Sequence, residues 1–350
     1  MYGCTPEWVH ACARLHYIER SRPGSAEKVA NPWFWRIPFR GPEVFPPAGL
    51  QSQRIIYATY LGPPREFHDF HFSPFHNSSD PYFDAARILT YQILHAPATR
   101  TRLGIGFVVF VHEGVGQKER DRLRRDGAQV VELKDFTVDW VRPKDARWVD
   151  IMTKLRLWQM VQYDLIVFLD ADSVLTKPLD DLLSSPDIRP RAPKEPTGIY
   201  HGLNLPLPET YLVAGLPQLR PNHSAGPSRV PEDYWNWVNL NSGFLVLKPS
   251  LEVFQYFKLL LAVKDSFDGS IGDQSVLNHV FSSWGPMPWT QLPLSWNVQW
   301  PWPDDIWRGY AVLHEKWWVP IHPEVRDYFL SWYWRMEGYY SAMDGSSAGR

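Results

Sequence analysis

The distribution of apolar residues along the chain predicts an alternation of strands and helices. Short β-rich apolar runs are typical of buried strands, and the segments between them have the spacing of amphipathic helices. The strand-like runs lie at residues 54–61, 104–111, 128–133 and 164–172, and the helix-like segments at 80–96, 117–127 and 150–162. Strands that alternate with helices form a mainly parallel sheet with helices on both faces. The sequence therefore predicts a Rossmann-like α/β protein.

The rest of the chain suggests one folded domain with irregular flanks. Residues 184–233 are rich in proline, serine and glycine, which predicts an inserted loop. A strand at 240–250 and two helices follow it. Residues 1–50 are aperiodic and rich in proline, which predicts an irregular N-terminal extension, and residues 326–350 form an aromatic C-terminal tail. We therefore expect a single domain over residues 51–325.

Charge and cysteine content argue against several classes of protein. The 36 lysines and arginines nearly balance the 38 aspartates and glutamates, so the charge does not indicate nucleic acid or an anionic membrane as the main partner. The two cysteines, Cys4 and Cys12, exclude a disulfide framework. No signal segment or membrane-spanning run is readable, which predicts a cytoplasmic protein. An anchor missed at the start would instead indicate the Golgi or another lumenal site, and a homodimer is compatible with the sequence.

Two aspartates stand at the end of the fourth predicted strand, in the sequence VFLDADSVL. Asp170 and Asp172 share one side of the strand because successive residues alternate, and Ala171 points away. In parallel α/β sheets, ligands collect beyond the carboxyl ends of the strands. Two carboxylates there can bind Mg²⁺ or Mn²⁺ and leave positions for phosphate oxygens, or they can simply cap the next segment.

Asp170 also fits the phosphatases of the haloacid dehalogenase type, whose first aspartate is a nucleophile. Ser173 and Val174 stand one register away from the best form of that pattern. That superfamily usually carries the motif on its first strand, whereas three predicted strands precede Asp170 here. A phosphatase is therefore the second interpretation.

Five segments occur in the order found in the glycogenin-like glycosyltransferases of family 8. They are TKLRLWQMVQYDLIVFLDADSVLTKPLDDLL, LNSGFLVLKPS, GDQSVLNHVF, LPLSWNVQW and AVLHEKWW. The chain resembles this family over residues 54–320. The resemblance implies a GT-A fold with a single catalytic domain, and retaining transfer of a hexose from a nucleoside diphosphate sugar, commonly UDP-linked, to a glycan or other hydroxyl acceptor. A catalytically silent relative that binds glycans or nucleotides is a third interpretation.

The resemblance also implies a metal site, with Mn²⁺ as the expected cofactor and Mg²⁺ as an alternative. Asp170 and Asp172 match the metal-binding pair of the family, Ala171 between them is counted among its donor-binding positions, and His314 matches the remaining protein ligand. A divalent cation there would stabilise negative charge on a departing diphosphate. The family carries a phosphate-contacting lysine six positions after this histidine, where the present chain has a proline. Lys316 is the candidate replacement.

Further residues match donor-contacting positions of the family. Lys154, one helix upstream of the aspartate pair, matches a lysine that approaches the donor, and Arg147 is a weaker candidate for the same task. Thr59 and Tyr60 end the first strand, where the family binds the base and ribose. Asp233 coincides with an acidic position of the family. Each of these residues therefore becomes a candidate for nucleotide-sugar binding.

Two short motifs match the family's positions around the transferred sugar. In NSG, Asn241 and Ser242 match sugar-contacting positions, and Gly243 allows the backbone to approach a ligand closely. In GDQ, Asp273 would hold a sugar hydroxyl, and Gln274 would lie near the face from which the acceptor attacks. Asp273 and Gln274 are therefore the candidate catalytic residues.

Tryptophan is unusually frequent, with 18 residues, of which eight lie within 284–318. Its flat apolar faces suit stacking on sugar rings, although aromatic residues more often belong to the core. Trp300 and Trp302 lie in the sequence QWPWPDD, where prolines hold the chain extended. We therefore predict that one of these two rings forms an exposed acceptor platform.

Overall fold

The computed structural model describes residues 53–64, 80–145, 148, 150–195, 206–226 and 230–348. The predicted N-terminal extension and the donor candidate Arg147 lie outside these residues. Among the described residues, no helix has the length and apolar character that crossing a membrane requires.

Strands of the described residues form one large and one small sheet. They are β1 (Ile55–Leu61), β2 (Gly106–His112), β3 (Gln129–Leu133), β4 (Leu165–Leu169), β5 (Ser173–Leu175), β6 (Val213–Pro217), β7 (Leu240–Leu247), β8 (Thr290–Gln291), β9 (Asn297–Gln299) and β10 (Val312–His314). The large sheet has the order β3-β2-β1-β4-β7-β6-β8. Strands β1 to β4 are parallel, β7 pairs antiparallel with β4 and β6, and β8 is parallel to β6. The predicted α/β class with a mainly parallel sheet is confirmed.

Helices cover both faces of the large sheet. The α-helices are α1 (Pro81–Leu94), α2 (Gln117–Arg125), α3 (Leu251–Leu261), α4 (Asp273–Val280) and α5 (Pro323–Ala348), and the 3₁₀ helices are Ile151–Gln159, Asp180–Ser184, Pro186–Ile188, Pro231–Asp233, Leu294–Trp296 and Pro303–Ile306. One core contains α1, α2, α5 and Tyr57 of β1, and the other contains the 3₁₀ helix Ile151–Gln159, α3, α4 and Ala58. Neighbouring residues of β1 thus enter opposite cores, as the alternation of a strand requires.

Two regions differ from the expectation from sequence. Val213–Pro217, within the predicted inserted loop at 184–233, is strand β6 and lies inside the large sheet. This strand is only five residues long, contains a glycine and ends in a proline, so its pattern is weak. Residues 326–348 of the predicted tail belong to α5, which packs its aromatic side chains into the core beside α1.

The small sheet places strand β10, which carries His314, beside the aspartate pair. Its strand order is β5-β10-β9, and β10 pairs antiparallel with β5. His314 of β10 is the register partner of Ser173, the residue after Asp172. The backbone N–H of Glu315 then donates to the carbonyl of Asp172 at 3.0 Å. The histidine is therefore held next to the pair by strand pairing.

Helix α4 begins directly after a turn that only glycine adopts easily. Gly272 has φ of 59° and is followed by Asp273, the first residue of the helix. A Cβ atom at Gly272 would also lie 2.6 Å from Cγ2 of Ile151. The glycine therefore lets the start of α4 pack closely against the helix that carries Lys154.

Candidate active site

The direction of β7 brings two predicted motifs together. Because β7 runs antiparallel to β4, its first residues lie beside the last residues of β4. The N–H of Asp170 donates to the carbonyl of Gly243 at 2.8 Å. The aspartate pair and the NSG motif therefore share one end of the sheet, as expected for ligand sites of α/β folds.

Asp170, Asp172 and His314 form a group that fits a divalent metal ion. One ligand atom from each residue lies within 4.8 Å of the others. Nε2 of His314 is 3.2 Å from Oδ1 of Asp172, and Nζ of Lys316 is 2.9 Å from Oδ2 of the same carboxylate. Two carboxylates and an imidazole are suitable ligands for Mn²⁺, and the carboxylates also suit Mg²⁺. The donor atoms present therefore fit the predicted cofactor.

Gly243 provides the space that the ring of His314 occupies. A Cβ atom at position 243 would lie 2.2 Å from Cε1 and 2.9 Å from Nδ1 of His314. Such distances are far below van der Waals contact, so a larger residue would displace the imidazole. The glycine makes room for a metal-ligand candidate rather than for a substrate, which differs from the expectation from sequence.

Opposite charges are packed closely around the two aspartates. Burial would lower the pKa of Lys154, but Asp170 and Asp273, at 3.0 and 3.2 Å from Nζ, raise it above its ordinary value. Burial raises the pKa of Asp273, because Lys154 compensates only in part. For Asp172, burial opposes ionisation, but Lys316 and His314 outweigh it and lower the pKa. Lys154 is thus a charged bridge between a metal-ligand candidate and a catalytic candidate.

A cleft extends from the aspartate pair past four other predicted donor residues, which are Tyr60, Lys154, Ala171 and Lys316. Its lining comprises Tyr60, Gly62, Pro63, Asp80, Tyr82, Trp148, Asp150, Ile151, Lys154, Asp170, Ala171, Asp172 and Lys316. The hydroxyl of Tyr60 lies 3.4 Å from Oδ2 of Asp150. Thr59 is fully buried in β1 and does not contribute to this lining. The sequence did not indicate Trp148 or Tyr82, whose rings give this end of the cleft its aromatic character.

Gln274 and Asn241 are joined by a glutamine that the sequence did not indicate. Oε1 of Gln218 accepts hydrogen bonds from Nδ2 of Asn241 at 2.7 Å and from Nε2 of Gln274 at 3.0 Å. Oε1 of Gln274 accepts from the backbone N–H of Ser242 at 3.0 Å. Nε2 of Gln218 donates to Oε1 of Gln299 and to the carbonyl of Leu219, both at 2.9 Å. Backbone groups thus fix the orientation of every amide in this network.

Asp233 occupies a different environment from the one the sequence suggested. Its Oδ1 accepts from the N–H of Ser224 at 2.6 Å, and its Oδ2 accepts from the N–H of Val230 at 2.9 Å. It does not line the cleft. Its carboxylate accepts the backbone N–H groups of Ser224 and Val230, and Gln218 is the residue whose side chain contacts Asn241.

Trp300 and Trp302 do not form the predicted exposed platform. Trp300 has φ of 49° and packs against the core, while its N–H donates to the carbonyl of His314 at 3.0 Å. Nε1 of Trp302 donates to the carbonyl of His223 at 2.9 Å, and its ring lies 4.6 Å from that of His322. The backbone is extended at Trp302, with φ of −76° and ψ of 156°, but not at Trp300, which follows directly after β9, a strand that pairs with β10.

Comparison with known proteins relates this chain to glycosyltransferases. No protein-family model matches the chain. Uncharacterized protein C4C3.09 of Schizosaccharomyces pombe is 25% identical over 273 residues, covering 68% of each chain. Human glycogenin-1 is 29% identical over 148 residues, covering 42% of this chain and 30% of that protein. UDP-glucuronate:xylan alpha-glucuronosyltransferase 1 of Arabidopsis thaliana is 25% identical over 264 residues, covering 72% of this chain and 30% of that protein.

Solved structures of glycosyltransferases are also similar to the chain. Galactosyltransferase LgtC, in complex with donor and acceptor sugar analogs, aligns with 81% of this chain and 95% of its own, with 15% identity and a TM-score of 0.49. The resemblance to glycogenin-like glycosyltransferases is confirmed by the sequence relatives, which include glycogenin-1 from several animals. The relatives support a nucleotide-sugar glycosyltransferase.

Proposed function

We propose that this chain is a metal-dependent, retaining glycosyltransferase. It would move a hexose from a nucleoside diphosphate sugar to a glycan or other hydroxyl acceptor, with UDP-sugars as the first donors to test. One observation carries the proposal. Asp170, Asp172 and His314 lie together where the two aspartates line the cleft, and Lys154 connects this group to Asp273. The retaining course follows from the family resemblance.

Each charged residue has a defined task in this proposal. Asp170, Asp172 and His314 would hold Mn²⁺ or Mg²⁺, which when bound supplies positive charge where the diphosphate departs. Lys316 leaves a third of its side chain exposed, so its Nζ can also reach phosphate oxygens in the cleft. Lys154 is 4% exposed and holds the carboxylates of Asp170 and Asp273 in place.

The transfer exchanges one bond at the anomeric carbon for another. The bond from that carbon to the diphosphate oxygen breaks, and its electron pair leaves with the diphosphate. The acceptor oxygen forms the new bond on the same face, and its proton goes to the leaving phosphate oxygen. Asp273 would accept a hydrogen bond from a sugar hydroxyl, and Gln274, fixed by Gln218 and Ser242, would border the attacking face.

Replacing Asp172 by asparagine tests the metal group. The substitution keeps the shape of the side chain and removes one charge. We expect Mn²⁺ affinity, measured by calorimetry, to fall at least about 10-fold, and hydrolysis of UDP- and GDP-sugars to fall about 100-fold or more. The exposed Asp304→Asn variant, whose carboxylate pairs with Arg308 at the surface, is the matched control.

The same proteins separate the three interpretations. Full activity of Asp172→Asn would remove the aspartate pair from the mechanism. Cleavage of p-nitrophenyl phosphate without any preference for nucleotide sugars would instead identify a phosphatase that uses Asp170. Binding of UDP by the wild-type protein, without hydrolysis of any donor sugar, would identify a catalytically silent relative.

A further inference from the structure

Two tryptophans in one turn remain exposed although the predicted platform is packed. Trp235 and Trp237 expose 61% and 65% of their surface. Arg220 lies over one face of the Trp235 ring, with Cζ 5.1 Å from the ring centroid, so the exposed area belongs largely to the other face. Nε of Arg220 donates to the carbonyl of Tyr234 at 2.8 Å, which fixes the guanidinium.

The turn that carries these rings, residues 234–239, is held by hydrogen bonds. The N–H of Trp235 donates to the carbonyl of Gln218 at 3.2 Å, and the N–H of Gln218 donates to the carbonyl of Asn239 at 2.9 Å. Nε1 of Trp289 donates to the carbonyl of Val238 at 2.9 Å. The backbone is therefore already ordered, which lowers the entropic cost of binding a ligand on the two rings.

The turn lies next to the residues proposed to border the attacking acceptor. Gln218, which accepts the N–H of Trp235, contacts Asn241 and Gln274 through its side chain. Strand β7 begins immediately after the turn and carries Asn241 as its second residue. The turn that carries the two tryptophans is therefore connected to Gln274 through Gln218.

The surroundings of the rings favour a carbohydrate. Glu232 and Asn236 are exposed in the same stretch of chain, so polar side chains alternate with the two rings there, as does the exposed Val230. A sugar ring presents apolar C–H groups on its faces and hydroxyls at its rim, and this pattern matches separate aromatic faces bordered by polar side chains. A protein partner would favour a larger contiguous apolar surface.

We propose that Trp235 and Trp237 form a subsite for an oligosaccharide acceptor, binding the sugar units that precede the one that reacts. This inference rests on the proposed glycosyltransferase function and names its acceptor class as a carbohydrate chain. Stacking of planar ligands on single aromatic side chains is worth roughly 1–3 kcal/mol, or about 5- to 150-fold in affinity. Each ring should contribute within this range.

Binding of neutral oligosaccharides without donor tests the subsite. The wild-type protein is first screened by calorimetry against hexasaccharides with glucose, xylose, galactose or mannose backbones. For the best of them, we expect Trp235→Ala and Trp237→Ala each to raise the dissociation constant about 10-fold, and phenylalanine at either position to restore most of the affinity. Trp307→Ala, which removes a ring that is 60% exposed outside the turn, should bind like wild type.

Several results would overturn the subsite. They are failure of the wild-type protein to bind any of the hexasaccharides, unchanged affinity of the double alanine variant, and equal losses in Trp307→Ala. A wild-type dimer that the double variant converts to a monomer in sedimentation would show that the rings contact a second copy instead. Because the measurement needs no donor and no turnover, failure of donor hydrolysis would count against the proposed function but not against oligosaccharide binding.

Discussion

Gly243→Ala is expected to disable the candidate metal group by moving one imidazole ring. The added Cβ would lie 2.2 Å from Cε1 of His314, whereas ordinary contact begins near 3.4 Å, so the ring must shift by about 1.2 Å. The shift changes the 3.2 Å separation between Nε2 and Oδ1 of Asp172. Displacements of this size cost about 100-fold in rate, and disturbed ligand support costs about 10- to 100-fold in metal affinity.

Two other glycines provide matched controls for this variant. Gly106→Ala in β2 places its Cβ where no atom lies within 4 Å, so it reports the general effect of the substitution on a strand. Gly215→Ala in β6 brings a Cβ to 2.8 Å from the carbonyl oxygen of Phe244 and should destabilise the fold without contacting His314. Thermal unfolding of the three metal-free variants therefore separates a loss of stability from a loss of the metal group.

Electron paramagnetic resonance of free Mn²⁺ provides the assay, since the signal reports the ion that remains unbound. We expect Gly243→Ala to bind Mn²⁺ at least about 10-fold more weakly than Gly106→Ala. If the effect acts through the ring, adding His314→Ala to Gly243→Ala should cause little further loss, because the two changes remove the same ligand. Wild-type affinity in Gly243→Ala, or full additivity with His314→Ala, would refute the steric argument.

Two further predictions concern neighbouring groups. Gln218→Leu removes the oxygen that accepts hydrogen bonds from the side-chain amides of Asn241 and Gln274. We therefore expect kcat for transfer to fall about 10-fold or more, while the affinity for Mn²⁺ is unchanged. The control is Gln162→Leu at an exposed position, and a Gln218→Leu variant with the same kcat as this control would contradict the role. Burial raises the pKa of the Asp80 carboxyl from 3.8 to about 6. Between these pH values the folded state therefore binds more protons than the unfolded state. The free energy of unfolding should fall by roughly 1–3 kcal/mol as the pH rises from about 4 to about 6. Asp80→Asn keeps a side chain that can cap α1 and should flatten this dependence in urea titrations; an equally steep dependence in the variant would assign it to other groups.

The sequence predicted those parts of the site that follow from chain order and local pattern. Alternating strands and helices place Asp170 and Asp172 at a sheet end, and the motif order relates them to His314. The parts that were missed depend on tertiary pairing. Strand β6 is too short to give a clear pattern, so Gln218, the residue that follows it, appeared to belong to a loop. The sequence suggested that Gly243 lets the backbone approach a ligand, whereas the structure has the ring of His314 in that space. No sequence pattern shows which side chain will occupy the space beside a glycine.

Side-chain exposure was the least predictable property. Prolines around Trp300 and Trp302 indicated an extended segment, which is correct for the backbone at Trp302 but not at Trp300, and extension does not decide whether a ring faces water. It also depends on the pairing of β9 with β10, whose register partners are 15 positions apart and which no local pattern shows. Trp235 and Trp237 carried no distinguishing signal, because their exposure follows from a turn fixed by Gln218 and Trp289.

The pairing of β5 with β10 also determines when the site can form during folding. The contact between Asp172 and Lys316 joins residues 144 positions apart, and contacts of such separation form slowly because a long loop must close first. The Rossmann-like strands β1 to β4 can assemble earlier, since they lie closer together in the chain. During synthesis on the ribosome, Asp170 and Asp172 therefore cannot contact His314 and Lys316 until nearly the whole domain has been translated. A partly synthesised chain should thus be unable to cleave a sugar nucleotide until residue 316 has emerged and β10 has docked.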